Sequence, residues 1–114
     1  MKIFNETRKT LLADEVRVAE TFTARLVGLL NRDSFDGKQA LVIPSCRGIH
    51  MFFMRFPIDV IFIGEDKKVA GLVKNIKPFQ VSPVFWKAAS AIELPAGTIA
   101  ATRTDIGDII QIEN

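Results

Sequence analysis

The sequence of 114 residues contains a single cysteine, Cys46, and a single histidine, His50. One cysteine cannot form a disulfide within the chain, which excludes the small secreted scaffolds that several disulfides hold together. The chain also lacks any stretch close to the ~18 consecutive apolar residues that a membrane-spanning helix requires. It is long enough for one hydrophobic core, and the absence of a linker or repeat predicts a single domain over residues 1–114.

Long runs of basic residues are absent as well. The 15 lysines and arginines are interleaved with 13 aspartates and glutamates, which gives a formal net charge of +2. The densest basic pairs, Arg8-Lys9 and Lys67-Lys68, fall short of the roughly 5–8-residue runs typical of nucleic-acid patches, so no nucleic-acid partner is predicted. Polar residues from Asn5 onward interrupt the N-terminus and leave no apolar signal-peptide segment. The expected location is the cytoplasm.

The hydrophobic pattern predicts many short strands and few helices. Apolar alternation predicts strands, with a hairpin across the polar "GEDK" turn, at residues 16–19, 40–44, 59–63, 68–74, 91–94 and 109–112. An apolar stripe of leucines predicts a helix over residues 23–31, and residues 98–106 indicate one helical turn. The expected fold class is α+β and mostly β: a single compact curved antiparallel sheet or small barrel-like domain with one or two short covering helices.

Cys46 and His50 stand four residues apart in the stretch "SCRGIHMFFMRFPIDVIFI". In an extended strand their Cα atoms would lie roughly 13 Å apart, too far to share a proton or a zinc ion. A catalytic pair would need a sharp bend at Arg47-Gly48, and a metal site would need Asp59 and Glu93 as further ligands. We therefore predict no metal and no cofactor, and we interpret Cys46 as a small buried apolar residue.

Apolar residues on both faces of "GIHMFFMRF" predict a strand that is covered on both sides, with His50 and Arg55 on opposite faces. A buried charge needs a partner, so Arg55 is expected to be paired or to reach solvent near Pro57. Asp59 is the nearest candidate partner, and we predict a structural role in which it anchors Arg55 or backbone N–H groups. Glu93, in "AIELPAG", alternates to the face opposite its apolar neighbours, so exposure is the simpler interpretation.

Residues 75–90, "NIKPFQVSPVFWKAAS", contain two prolines and cannot form one central strand. They carry more apolar side chains than an ordinary solvated loop. Two interpretations stay open. The segment caps one end of the sheet and Trp86 fills the core, or some of its apolar side chains form an exposed lip that makes one binding site with Arg55 and Asp59. The candidates for that lip are Phe79, Val81, Val84, Phe85 and Trp86.

Three stretches together resemble the domain-of-unknown-function 192 family, also called uncharacterised protein family 0127: "RLVGLLNR", "IHMFFMRFPIDVIFI", and "IELPAGT" followed by "IGDII". The positions that match the family's motifs are Arg25, Gly28, Leu29 and Leu30, then Phe53, Met54, Arg55, Pro57, Ile58 and Asp59, and finally Glu93 to Gly97. Leu30 replaces the family's usual methionine, and "GEDKKV" replaces its common Asp-x-x-Gly turn. The resemblance covers roughly residues 13–113. It implies a compact, mostly β single domain without an established reaction; several relatives carry export signals, which this chain lacks.

Two functional hypotheses follow from these patterns. The candidate binding residues are Arg25, His50, Arg55, Asp59, Phe79, Trp86 and Glu93. The absence of nucleophile–base or metal-ligand spacing favours a non-catalytic module that binds a small molecule or a protein. The alternative is a small hydrolase-like enzyme that uses Asp59 and Glu93 as paired carboxylates and Arg25 or Arg55 as an anion clamp. That enzyme requires both carboxyl groups to open on one cleft, within about 10 Å of each other.

Overall fold

The computed structural model describes residues 1–21, 37–52 and 54–114, so the helix predicted at 23–31, Arg25 and Phe53 lie outside the described residues. Within those ranges the elements, in chain order, are β1 Lys2–Asn5, β2 Thr10–Ala13, β3 Glu15–Val18, β4 Gln39–Pro44, β5 Ile58–Ile63, β6 Val69–Ile76, β7 Ser90–Pro95, α1 Thr98–Thr102 and β8 Ile110–Glu113. The predicted α+β, mostly β fold class is confirmed.

The strands form two sheets. The smaller sheet has the order β2-β1-β8, and the larger one has the order β3-β4-β7-β5-β6. The predicted hairpin is confirmed, because β5 and β6 pair antiparallel on either side of the "GEDK" turn. The pairing of β3 with β4 is parallel, whereas the other neighbouring strands run antiparallel. The chain therefore folds as two sheets, of which the larger is mixed.

The larger sheet is covered on both faces, and β5 shows why. All six residues of β5 are buried. Ile61 packs between the two sheets with Ile3 of β1, whereas Phe62 packs on the opposite face in a cluster that includes Met51. A strand covered on both faces appears in the sequence as a continuous apolar run rather than an alternating one. The run "IDVIFI" interrupts this pattern only at Asp59.

The same two-sided burial was predicted for "GIHMFFMRF", and that prediction is wrong. The chain turns there instead of continuing as a strand, since the N–H of Met54 donates to the carbonyl of Met51 at 3.2 Å. Met51 and Met54 are buried, but Phe52 keeps 44% of its surface exposed. Among the described residues of this stretch, Met51 and Met54 are therefore covered by the core and Phe52 is not. The outer side of the stretch belongs to the molecular surface described below.

A buried polar cluster ties the β1–β2 turn to the loop before β8. The Asp108 carboxylate accepts hydrogen bonds from the Asn5 side chain at 2.9 Å, from Nε of Arg8 at 3.0 Å and from the backbone N–H of Asp105 at 2.9 Å. Burial alone raises the pKa of Asp108, but the hydrogen bonds from Asn5, Arg8 and Asp105 outweigh it and hold the pKa below its ordinary value. The ionised carboxylate therefore stabilises the fold.

Acid should remove this stabilisation. Because the pKa of Asp108 is lowered by folding, its contribution is present above the unfolded pKa of about 3.9 and is lost as the pH falls through the folded value. We expect the free energy of unfolding, measured by urea denaturation between about pH 2 and pH 6, to fall less steeply with acid in Asp108→Asn than in the wild type. The control is Asp14→Asn, which removes the same charge from an exposed position. Equal acid slopes in wild type and Asp108→Asn would contradict this role.

Candidate functional site

Two irregular segments, residues 47–52 and 79–85, pair along one face of the larger sheet. The N–H of Met51 donates to the carbonyl of Gln80 at 2.8 Å, and the N–H of Ser82 donates to the carbonyl of Ile49 at 2.9 Å. His50 and Val81 face each other in an antiparallel bridge. These bonds hold the proline-containing segment against the sheet, so it is an ordered element despite its irregular backbone.

The paired segments have an inner and an outer side. Ile49 and Met51 point inward and are buried in the core. Since successive residues of extended chain alternate in direction, His50 and Phe52 point outward. Their rings stack with centroids 4.9 Å apart, and Val81 lies across from His50. The outer side is therefore apolar and aromatic, whereas an ordinary solvated surface would be polar.

Exposed apolar side chains continue along the second segment. The set of five, called the apolar face below, comprises Phe52 at 44% exposure, Phe79 at 70%, Val81 at 65%, Val84 at 52% and Trp86 at 75%. Four of the five, Phe79, Val81, Val84 and Trp86, are among the candidates that the sequence offers for an exposed lip. Phe52 is the member that the sequence does not predict, because its pattern places that residue in a buried strand.

Phe85, not Trp86, fastens this segment to the core. Its ring lies 4.6 Å from that of Phe62, centroid to centroid. It also covers Gly71 of β6, where an added Cβ would clash with the Phe85 ring. The interpretation in which Trp86 fills the core is thus wrong. Gly71 is a sequence feature that points to this packing, because a glycine inside a strand often marks the close approach of another group.

Phe79 occupies an unusual backbone conformation at the tip of the segment. The N–H of Gln80 donates to the carbonyl of Lys77 at 3.1 Å and closes a turn around Pro78 and Phe79. Phe79 has a φ of 68°, a value that turns usually assign to glycine or asparagine at this position. For a bulky residue such a conformation costs on the order of 1 kcal/mol or more. The chain thus tolerates backbone strain to present an exposed aromatic ring.

Basic residues flank the apolar face along the chain. No aspartate or glutamate occurs in residues 37–58 or 67–92. In the rest of the chain, acidic and basic residues both occur. The exposed basic side chains of these stretches near the paired segments are Arg47, Arg55, Lys74, Lys77 and Lys87. Lys74 and Val81 line one shallow pocket of about 320 Å³. Cationic and apolar groups are therefore presented together.

Asp59 is buried and accepts three backbone hydrogen bonds. Its Oδ1 accepts the N–H of Asn75 at 2.8 Å, and its Oδ2 accepts those of Gly97 at 3.1 Å and Ile99 at 2.9 Å. These donors lie at the end of β6 and the start of α1, where the N-cap residue Gly97 has no side chain to offer. Of the two anchoring modes predicted for Asp59, backbone anchoring is the one observed in these contacts. Its carboxylate is committed to the fold.

Glu93 is fully buried, so the expected exposure is wrong. Within the β5–β7 pair, Asp59 lies opposite Leu94 and Val60 lies opposite Glu93. Residues directly opposite each other share a face, and successive residues alternate between faces. Asp59 and Glu93 therefore point to opposite faces of the larger sheet, and the structure does not bring the two carboxylates onto one cleft.

Cys46 and His50 border one small pocket of about 300 Å³ together with Glu20 and Thr21. The Cys46 thiol donates to the carbonyl of Gly48 at 3.2 Å, and this residue is only partly buried. The described part of the chain contains no group of three or more His, Cys, Asp or Glu side chains that could hold a metal ion. The pocket thus offers a cysteine and a histidine without a recognisable ligand set.

A cleft of about 720 Å³ opens beside Trp86. Its walls include Arg47 and Lys87 as well as Glu65 and Asp66. A volume of this size suits a small ligand, since ligand pockets typically range from about 300 to 1,000 Å³. Unlike the apolar face, the cleft carries charges of both signs. Trp86 belongs to the apolar face and also lines the cleft.

Comparisons with known proteins extend over nearly the whole chain. The sequence model of the DUF192 family, described as "Uncharacterized ACR", matches residues 3–112. The chain is 32% identical over 115 residues to a UPF0127 protein of Thermococcus sibiricus, which covers 97% of this chain and 74% of that relative. It is 30% identical over 112 residues to the UPF0127 protein PH1112 of Pyrococcus horikoshii, which covers 96% of each chain.

Two solved structures are similar in fold. A protein of unknown function from Novosphingobium aromaticivorans has a TM-score of 0.79 at 19% sequence identity, covering 97% of this chain and 82% of that one. A putative transcription regulator from Sinorhizobium meliloti has a TM-score of 0.77 at 19% identity, covering 96% and 89%. At this level of identity the likeness establishes the fold alone.

Proposed function

Because the chain belongs to the DUF192 family, whose members named above carry no stated reaction, we propose a function from its surface: it is a non-catalytic binding module, and the apolar face is its binding surface. The exposure of Phe79 and Trp86, at 70% and 75%, carries this proposal. Contiguous exposed apolar side chains mark partner or ligand sites more often than scattered ones do. Here they follow one ordered segment rather than being dispersed over the molecule.

The hydrolase-like alternative has less support. It needs Asp59 and Glu93 to act on one bond, but the β5–β7 register directs them to opposite faces of the sheet. Asp59 also accepts three backbone N–H groups, which leaves little of its carboxylate for acid–base work. The residues that surround the apolar face offer cations and aromatic rings, which bind and orient other molecules.

A ligand screen with two readouts tests the proposal. We expect at least one class among metabolites, sugars, acidic peptides and lipid vesicles to raise the melting temperature and to shift the emission of Trp86. This residue is the only tryptophan of the chain, and it lies on the apolar face. A ligand at 100 times its Kd stabilises the fold by about 2.7 kcal/mol, which is readily detected.

Matched variants localise any binding that the screen detects. Phe79→Gly/Val81→Ser removes apolar surface from the apolar face, whereas Val18→Ser/Ile112→Ser removes exposed apolar groups from β3 and β8. Only the first pair should abolish the ligand response. A response retained in that pair, or turnover of a compound without dependence on the apolar face, would count against the proposal.

A further inference from the structure

We propose that the apolar face docks onto a membrane surface that contains anionic lipid, with its aromatic rings in the headgroup region and its lysines against lipid phosphates. This inference rests on the proposed binding function of that face and names the partner. It concerns attachment to a surface rather than a span, since no helix in the described part of the chain is long and apolar enough to cross a bilayer.

Charge complementarity indicates an anionic partner. The two stretches that contain the apolar face, residues 37–58 and 67–92, hold no acidic residue, and Glu65 and Asp66 lie only at its edge, across the cleft that Trp86 borders. The backbone carbonyl of Lys77 closes the turn that carries Phe79, and Lys74 lines a pocket together with Val81. Both lysines therefore lie next to apolar side chains of this surface. Surface binding to lipid strengthens with the apolar area inserted and with attraction between basic residues and anionic headgroups.

The shapes of the apolar groups favour lipid over other anionic partners. Phe79 and Trp86 keep most of their surface open, so much of each ring projects from the molecule, and only Trp86 also borders the cleft of about 720 Å³. Val81 and Val84 are aliphatic and offer no ring on which a nucleic-acid base could stack. A mixture of projecting aliphatic and aromatic side chains suits a fluid, apolar interior, and tryptophan in particular is enriched at membrane–water interfaces.

The backbone at Phe79 supplies an independent argument. Its φ of 68° is a conformation that favours glycine, yet the position holds an exposed phenylalanine whose ring fills no core. Strain of this kind concentrates at functional sites. A ring presented at the tip of a turn, beside Lys77, is the arrangement that an inserting side chain requires.

Vesicle binding tests the inference with the full chain. Vesicles of phosphatidylcholine alone are compared with vesicles of phosphatidylcholine and phosphatidylglycerol, by co-sedimentation and by the emission of Trp86. We expect binding to the anionic vesicles, a shift of the emission to shorter wavelength as Trp86 leaves water, and weakening of both by added salt.

Variants separate insertion from stability. Phe79→Gly should reduce partition onto anionic vesicles at least about ten-fold, while its melting temperature stays equal to or above that of the wild type because glycine suits the positive φ. If Phe79 had only a structural role, its replacement would not weaken membrane binding while preserving the melting temperature.

Lys74→Gln/Lys77→Gln should weaken partition about five-fold per lysine, whereas Lys2→Gln/Lys9→Gln, with the same change of charge, should leave partition unaltered.

Other results would overturn the lipid assignment. Equal partition of wild type and Phe79→Gly would do so, as would equal partition onto neutral and anionic vesicles. If single-stranded DNA or a polyglutamate peptide shifted Trp86 emission and vesicles did not, the apolar face would remain a binding surface with a different partner. If none of these probes bound and the ligand screen also failed, the proposed function itself would fall.

Discussion

Replacing Asp59 by alanine should lower the free energy of unfolding by about 2–4 kcal/mol. The side chain is 1% exposed, and its loss leaves the backbone N–H groups of Asn75, Gly97 and Ile99 without their acceptor. Buried N–H groups deprived of a partner forfeit the hydration they had in the unfolded chain. The melting temperature should fall by roughly 10–20 °C.

Asp66→Ala is the matched control for this variant. Asp66 also accepts a backbone N–H, that of Lys68 at 3.1 Å, but both groups are exposed, and water can replace the carboxylate. We expect a change within about 1 kcal/mol in urea denaturation. Asp59→Asn should also destabilise, though less than Asp59→Ala, because its amide oxygen can accept at one of the two oxygen positions while its NH2 group faces a backbone N–H at the other. An unchanged melting temperature in Asp59→Ala would show that these three bonds do not hold the fold and that Asp59 is kept for another purpose.

Phe85→Ala should cost about 2–4 kcal/mol, while Trp86→Ala, one residue away, should change stability by no more than about 0.5 kcal/mol. The difference arises because Phe85 packs on Phe62 and covers Gly71, whereas Trp86 is 75% exposed. Urea denaturation followed by circular dichroism measures both, since the second variant has no tryptophan left to report. A larger loss for Trp86→Ala than for Phe85→Ala would contradict the observed anchoring.

A double-mutant cycle with Gly71 sharpens this prediction. Gly71→Ala alone should destabilise by about 1–3 kcal/mol, because the new methyl group would meet the Phe85 ring. With Phe85 already reduced to alanine, that space is open, and the same substitution should be nearly neutral. The two losses should therefore add to clearly more than the loss of the double variant. Additive losses would mean that the two residues do not share one contact.

Local patterns in the sequence were sufficient to predict the hairpin of β5 and β6. The runs "DVIFI" and "KVAGLVK" have strand composition, and "GEDK" between them is a polar turn, so neighbours along the chain specify the pairing. The motif positions from Phe53 to Asp59 and from Glu93 to Gly97 were likewise enough to identify the family, since a motif is a property of sequence order. Neither inference required knowledge of distant contacts.

The candidate surface depended on contacts that sequence order does not contain. Whether Phe85 or Trp86 enters the core is settled by contacts with Phe62 of β5 and Gly71 of β6, two strands that precede the segment in the chain. Whether Asp59 and Glu93 share a cleft is settled by the register of β5 against β7, because a shift of one residue would exchange their faces. Pattern alone left both questions open.

By itself, the sequence determined the mostly β class and the kinship of this chain, because these follow from composition, short-range periodicity and motif order. The tertiary structure alone decided that the Asp59 carboxylate accepts hydrogen bonds from α1 and β6 and that Phe52 faces outward. It also decided that residues 79–86 present an apolar surface, with Lys77 and Lys87 beside it. Burial is a relation between groups brought together from distant parts of the chain, and its free energy is set only when long-range pairing selects which side of each segment leaves water.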